Sequence, residues 1–393
     1  MSDLPENHHS YVQPAALLIV GASTRAAAWS AVRAGWQPLC SDMFADVDLA
    51  AYARVVADPD YPSGLEAISR GAPSGPWMFT GGLENQPALI QRIGRQRTLW
   101  GNGADVLRRV RDPFMLAEAL AGSGIETPPL RPTFAGLPTD GTWLVKPRRG
   151  SGGTGIQPWH GQPHDAALDR THYFEQRVAG ESWSAAYVAA GGQARLIGVS
   201  EQVVGDGVDA AGQFRYRGSL GPLALSDALH AEYERLGAVL ATKFKLVGWF
   251  GVDTIVRHQR VWPIEVNPRY TASMEIFDYA TGVALFEWHV QACRDAALPR
   301  TELSFSPNWH GKRVIYAKRD VQASAELAHL DVRPLDNERL WQPIIADIPM
   351  AGTRIPRRHP VLTIFASGRD RAEVGRRLDE LEWRVEAALY GAD

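Results

Sequence analysis

The apolar positions of the chain fall into short runs set apart by glycine, proline and charge, and their spacing alternates between strand and helix. Ala15 to Val20 is an unbroken apolar run that stops at Gly21. An alanine-rich stretch from about Thr24 to Arg33 has helical character and ends before Gly35, and QPLCSD closes on Asp42. Strand, helix and strand in that order predict a βαβ unit with a parallel sheet, and PWMFTGG reads as a later strand. From Arg108 the pattern changes. A helix is predicted from about Pro113 to Ala121, with Asp112 as N-cap and Pro113 at the first helical position. TWLVKPRRGSGGTGIQPW reads as a strand, a glycine loop and a further apolar segment. YFEQRVAGESWSAAYVAA is two strands bent at Ala179–Gly180, and ARLIGVSEQVV continues them. DALHAEYERLGAVLATKF is an amphipathic helix leading into GWFGVDTIV, and ALFEWHVQACRDAAL is another helix. The tail carries KRVIYAK, PVLTIFAS and a last helix, DRAEVGRRLDELEWRVEAALY.

One strand breaks its own pattern. IEVNPR places Glu265, Asn267 and Arg269 on alternate positions, hence on one face. The strand before it is apolar except for Asp253, and RHQR is a turn between the two. A connection centred on His258 to Arg260 sets Asp253 opposite Glu265; a two-residue loop sets it opposite Ile264. Like charges opposed on a sheet repel, and nothing local in sequence offsets them except a cation. Two carboxylates and an amide are an all-oxygen donor set that suits magnesium held partly through phosphate. A solvated sheet edge is the bland alternative.

Composition narrows the class. The 393 residues, 45% of them hydrophobic, are enough for more than one domain. Interspersed charges sum to −3, and with no basic block this argues against nucleic-acid binding. Two cysteines, Cys40 and Cys293, make neither a disulfide framework nor a zinc site, so a reducing, cytoplasmic setting fits best. MSDLPENHHSYVQ lacks the features of a signal peptide, and its His8 and His9 read as part of a disordered polar leader. No run is long enough to span a membrane.

KPRRGSGGTG is the second chemical feature. It is not a P-loop, because Lys146 precedes the glycines and a strand follows. Gly150, Gly152, Gly153 and Gly155, with Ser151 among them, free the backbone to form a nest of N–H groups over a polyphosphate. Lys146, outside any paired charge run, is expected to supply a point charge to phosphate. In FEQRVAGE, Val178 can offer backbone groups to an adenine edge, Glu175 can accept from its amine, and Glu181 can accept from ribose hydroxyls. Dinucleotide binding by the first βαβ unit is the competing idea, since Asp42 lies 21 residues after Gly21. Against it, Ser23 and Ala26 replace two of the three fingerprint glycines.

Lys before a glycine loop, then E-x-x-V-x-G-E, a buried Asp and E-x-N-P-R resemble the ATP-grasp superfamily. IADIPMAGTRIPRRHPVLTIFASG is similar to the C-terminal segment of its biotin-carboxylase and carboxyaminoimidazole-synthetase branch. DMFADVDL, TGGLENQP and VRDP resemble a carboligase subgroup that includes ATP-grasp proteins accompanying tetrahydromethanopterin or methanofuran one-carbon pathways. The resemblance implies a mixed α/β and α+β fold. Residues 1–107 would be a Rossmann-like pre-ATP-grasp domain and residues 108–300 a two-lobed ATP-grasp domain. Residues 301–393 would be a small α+β segment packed on it. It further implies ATP and two magnesium ions, with Asp253, Glu265 and Asn267 as metal ligands. Lys146 would lie on phosphate and Glu175 and Val178 on adenine. Glu181, or Ser182 one residue on, would lie on ribose, and Arg269 on the substrate carboxylate. Two departures stand out. Pro113 occupies the place of a usual ATP-binding lysine, with Arg109 and Arg111 nearby but out of register, and Ser273 stands where biotin carboxylases carry a glutamate, Glu275 being two residues on.

The expectation is an ATP-dependent carboxylate–amine ligase working through an acyl phosphate on small-molecule substrates, for which a homodimer is an admissible assembly. Arg215 and Arg217 are expected to help select an acidic substrate. A bicarbonate-dependent carboxylase-type enzyme and a non-catalytic ATP-binding scaffold are the alternatives.

Overall fold

The computed structural model describes residues 16–58, 60–161, 166–205, 207–209, 212–328 and 343–391. His8 and His9 lie outside them. Strands β1 (Ala16–Gly21), β2 (Gln37–Asp42), β3 (Arg54–Ala57) and β4 (Trp77–Phe79) form a parallel sheet in the order β3-β2-β1-β4. The βαβ unit thus forms as its pattern predicts, with the helix at Arg25–Arg33. Its buried alanines, Ala27, Ala28 and Ala31, present a face without bulk. That face joins one core with Ala186, Val188 and Trp249 of the central sheet, so the first sheet is packed onto the rest of the chain. β3 and the short helices at Val47–Tyr52, Leu65–Gly71, Pro87–Gly94 and Ala104–Val110 complete this region. Their brief, charge-interrupted periods do not announce them in the sequence.

The helix Pro113–Leu120 opens as expected. The Asp112 carboxylate accepts from the amides of Phe114 at 2.9 Å and Met115 at 3.3 Å, satisfying donors that an N-terminus leaves free. A small antiparallel sheet follows, built from β5 (Leu130–Arg131), β6 (Trp143–Pro147), β7 (Gln157–Pro158) and β8 (His172–Gln176) in the order β5-β8-β6-β7. Trp143, Val145, Trp159 and Phe174 give it a core of its own.

The central sheet contains β9 (Glu181–Ala190), β10 (Gln193–Val204), β11 (Tyr216–Gly221), β12 (Gly248–Arg257), β13 (Arg260–Asn267) and β14 (Trp309–Tyr316). Of the later strands, β15 (Val321–Gln322) pairs with β17 (Arg354–Ile355), while β16 (Ile345–Ala346) and β18 (Pro360–Gly368) join the central sheet. Its order among the described residues is β13-β12-β9-β10-β11-β14-β18-β16. The tail therefore does more than pack on the preceding domain: β11 hydrogen-bonds to β14 from Gly218–Arg313 to Gly221–His310, and the tail extends the sheet. One face is covered by the helix Asp227–Phe244, whose Leu229, Tyr233, Leu236, Leu240 and Phe244 pack on Tyr187 and Phe250. Trp249 and the helix Phe286–Arg294 share the core that carries the first sheet. No helix among the described residues is long and apolar enough to cross a membrane.

Candidate active site

The β12–β13 hairpin resolves the register in an unanticipated way. Arg257 pairs with Arg260, so the loop is the two-residue one, His258 and Gln259, both at positive φ (50° and 59°). A two-residue loop alone would oppose Asp253 and Ile264. That register holds as far as Thr254–Pro263, a bulge follows, and Asp253 comes opposite Glu265, with Gly251 opposite Asn267. Pro263, which has no N–H to give a ladder, sits beside the irregularity on the sheet's edge strand, where such a residue is tolerated.

The two carboxylates are not left to repel each other. Asp253 Oδ1 accepts from Gln202 Nε2 at 2.7 Å and Ser184 Oγ at 3.1 Å, and its Oδ2 accepts from Asn267 Nδ2 at 3.1 Å. Ser184 Oγ lies 3.2 Å from Ser273 Oγ, which lies 3.0 Å from Thr271 Oγ1, so Ser273 belongs to a hydroxyl chain that ends on Asp253. Burial, with Glu265 adding to it, raises the Asp253 carboxyl to about 6 despite the Ser184 hydrogen bond. Glu265 is paired with the Arg111 guanidinium. The cation expected to offset the repulsion is thus supplied in part by the protein itself, from a residue distant in sequence. Arg111 also donates to Gly150 O at 2.8 Å, tying the hairpin to the glycine loop. Near Pro113 but out of register in sequence, Arg111 thus reaches both Glu265 and the glycine loop.

The glycine loop is held at several points. Gly150 O also accepts from Asn85 Nδ2 at 3.2 Å, and Tyr216 N donates to Gly152 O at 3.1 Å. Gly153, at φ +77°, packs against the segment that leads into β11: a Cβ there would lie 1.8 Å from Phe214 O. Lys146, expected to be unpaired, has Nζ at 3.0 and 3.2 Å from the two Glu175 oxygens, with both side chains buried. Burial opposes the charge of Lys146, but Glu175 outweighs it and the ammonium is held charged, its pKa raised. Burial raises Glu175, and Lys146 pulls it back.

These groups line one cavity of about 1110 Å³. Lys146, Ser151, Gly152, Gly153, Glu175, Val178, Asp253, Glu265, Asn267 and Arg269 are all on its wall. Gly155 is not. Along β9, alternation puts Ser182 and Ser184 on the wall, whereas Glu181 is exposed and accepts from Trp183 Nε1 at 3.1 Å. Of the two positions expected at the ribose, Ser182 is the one on the cavity wall. Arg269 reaches across to the first sheet's region, donating to Glu84 at 2.5 Å and to Asn267 Oδ1 at 3.2 Å. Arg215 and Arg217 do not line the cavity: Arg215 donates to Arg358 O, and Arg217 pairs with Glu382 of the last helix. Asp42 is consumed internally, accepting from Thr24 N and Oγ1 and from the amides of Phe44 and Ala45, which leaves it no role as a ribose acid.

The far wall comes from the first and last parts of the chain. Arg25 pairs with Glu275 and, through Nε at 2.7 Å, with Asp347; Lys312 Nζ lies 2.6 Å from Glu275. Burial would raise the Glu275 carboxyl, but Arg25 and Lys312 prevail and hold it at about 2.

Residues 110–273 match the family profile described as the ATP-grasp domain. Over those residues the chain carries an ATP-grasp domain. Its fold is similar to that of N5-carboxyaminoimidazole ribonucleotide synthetase from Thermus thermophilus, at 16% identity, covering 93% of this chain and 98% of that one, with a TM-score of 0.67. It is also similar to biotin carboxylase from Campylobacter jejuni (12% identity, 92% and 90% covered, TM-score 0.65) and to L-amino acid ligase from Bacillus licheniformis (14%, 95% and 98%, TM-score 0.63). No curated protein matches the chain in sequence.

In this ATP-grasp domain the glycine loop and the hairpin face each other across one cavity, and Arg111 bridges them. Sequence reasoning missed Glu84, Gln202, Ser184, Arg25 and Lys312. Glu84 stands inside TGGLENQP, a phrase noted only for its resemblance. The others are long-range partners for which spacing carries no signal. Among the described residues no three His, Cys, Asp or Glu side chains cluster as a metal site. The hairpin's donors number two carboxylates and an amide, with hard oxygens suited to magnesium.

Proposed function

We propose that the protein is an ATP- and magnesium-dependent carboxylate–amine ligase that forms an enzyme-bound acyl phosphate and releases ADP and phosphate with the amide. The observation that carries this reading is the opposition of Asp253, Glu265 and Asn267 to Lys146 and the Ser151–Gly153 backbone around a single cavity. Residues 108–300 would grip the nucleotide, and residues 1–107 and 301–393 would wall the acceptor end. Val178 and Ser182 would contact adenine and ribose, and Lys146 with the loop amides would hold the phosphates. Magnesium held by Asp253, Glu265 and Asn267 would neutralise charge on the transferring phosphoryl group. Arg269, on the same wall and braced by Glu84, would orient the attacking carboxylate. A preorganised, partly dry arrangement of this kind serves phosphoryl transfer without a protein nucleophile.

The bicarbonate route has less support. Ser273 is locked in its hydroxyl chain, and Glu275 is fully buried and paired with Arg25 and Lys312, so neither offers a free base. The resemblance of DMFADVDL and TGGLENQP supports a role in one-carbon cofactor biosynthesis. An ADP-release screen with magnesium against pools of carboxylic acids and amines tests the activity. With the active acid carrying ¹⁸O in its carboxylate, one labelled oxygen should appear in the released phosphate. AMP and pyrophosphate would rule the mechanism out, since they mean adenylation.

A further inference from the structure

The acceptor end of the cavity holds more negative charge than the protein neutralises. Asp42, Asp46, Asp48, Asp347 and Glu275 gather there around two cations, Arg25 and Lys312. The elements are fixed together: Val47 N donates to Ile348 O at 2.8 Å, and the Asp48 carboxylate accepts from the amides of Asp347 at 3.0 Å and Ile348 at 2.9 Å. Four of the five acids are satisfied. Asp42 has four donors, Asp48 two amides, Asp347 has Arg25 and the Thr363 hydroxyl at 2.5 Å, and Glu275 has Arg25, Lys312 and the Tyr279 hydroxyl at 2.9 Å.

Asp46 is the exception. It lines the cavity and is only 4% exposed, and its buried Oδ2 has no hydrogen-bond partner. It caps the start of the helix Val47–Tyr52 by position, yet its side chain makes no capping bond. Leaving a buried carboxylate oxygen unpaired is costly, and a role within the fold would have given it a donor. Burial, then Asp347, Asp42 and Asp48, raises its pKa, while Arg25 opposes. The group that would complete this corner is small, cationic and rich in N–H donors. Beside Asp46 the wall is apolar, with Met43, Phe44 and Pro349 also lining the cavity.

We propose that Asp46 is the recognition point for the ammonium group of the amine substrate, which is therefore a primary amine bound as its cation with an apolar body against Phe44 and Pro349, its proton passing to the Asp46 carboxylate before the freed amine attacks the acyl carbon and phosphate leaves. This rests on the ligase reading for the word substrate, though not for the site. The carboxylic acid would then enter at the Arg269 side, so that the two substrates are sorted by charge at opposite ends of one cavity.

The test measures binding of n-butylamine, benzylamine and putrescine, each beside its N-acetylated neutral counterpart. Calorimetry and thermal shift are run on the full chain with magnesium and a non-hydrolysable ATP analogue. A free amine should bind the wild type and its acetylated form should not. Asp46→Asn and Asp46→Ser should each weaken that binding about 10- to 100-fold, the scale of one lost charge-assisted hydrogen bond, with analogue affinity unchanged. Because the carboxylate is unpaired in the free protein, Asp46→Asn should melt no lower than the wild type. The site is overturned if no free amine binds the wild type, if both variants bind amines as it does, or if both lower the melting temperature of the free protein. Amine binding intact without ADP release for any acid would instead count against the ligase reading alone.

Discussion

Replacing Lys146 with alanine should damage the protein twice, and the two injuries can be separated. Lys146 and Glu175 are 8% and 5% exposed at the side chain and meet at 3.0 and 3.2 Å. Lys146→Ala would strand a carboxylate that has this ammonium as its partner. Breaking such a buried pair from one side costs about 3–5 kcal/mol. At roughly 2–4 °C per kcal/mol for chains of about 150–250 residues, and about half that for one of this length, the nucleotide-free protein should melt on the order of 3–10 °C lower. Removing Glu175's charge as well, in Lys146→Met with Glu175→Gln, restores electrical balance and should recover most of that loss. Turnover should respond differently. If Lys146 stabilises transferring phosphate, both the single and the double variant should lose about 10²- to 10³-fold in kcat/KM. Paired calorimetric melts and ADP-release kinetics measure the two quantities. A double variant that regains turnover along with stability would refute the phosphate role, and a Lys146→Ala protein that melts like the wild type would refute the energetic argument for the pair.

Further expectations follow from the same geometry. Glu265→Gln should leave the fold intact, since the partly exposed Arg111 pair is worth little, yet abolish magnesium-dependent turnover; near-normal activity would defeat the metal assignment. Gly153→Ala should dislodge the glycine loop from Phe214 and weaken ATP binding by at least about tenfold, because the new Cβ meets a backbone oxygen at 1.8 Å with φ at +77°; unchanged ATP titrations would show the loop yields freely. Glu275, held near 2 against an ordinary value of 4.5, contributes stability that is present above pH 4.5 and lost as pH falls toward 2. At about 1.4 kcal/mol per unit this is about 3 kcal/mol, so urea unfolding of Glu275→Gln should show a flatter acid limb, and parallel limbs would contradict it.

What the sequence made legible was periodic or local. The Ala16–Gly21 strand, the helix after it and the Asp112 cap each depend on neighbours within a few residues, and each forms as patterned. The facing of Asp253 and Glu265 was legible only as one of two registers, because the deciding bulge at Thr254–Pro263 leaves alternation looking regular on both sides. Lys146 was read as unpaired because its partner is 29 residues away on β8, and Arg111 as out of register because its role is set by reach across the hairpin. Glu181 against Ser182 is a one-residue matter of which strand face turns inward, fixed by β9 pairing with β12 from Glu181–Val256 onward. Arg215 and Arg217 illustrate the converse error: their charges look available in sequence and are spent on the last helix and a tail carbonyl.

The seam between β11 and β14 bears on how this architecture can be modified by recombination. Because Lys312, Asp347 and Thr363 reach the cavity from strands and turns of the last third, that third is a portable half of the acceptor chamber, while the Lys146 and Asp253 end belongs wholly to what precedes it. A chimera joined beyond Arg300 would therefore exchange the wall made by Lys312, Asp347, Pro349 and Thr363 while leaving Asp46 and the Lys146–Asp253 end in place. It would do so only if the host kept glycine at position 218, opposite Arg313, since a side chain there would meet the Lys312 carbonyl at 2.1 Å and unzip the graft from its host. The make-up of the cavity wall in such a scaffold is thus inherited through a backbone seam, and Gly218 is its gatekeeper although it is not on that wall.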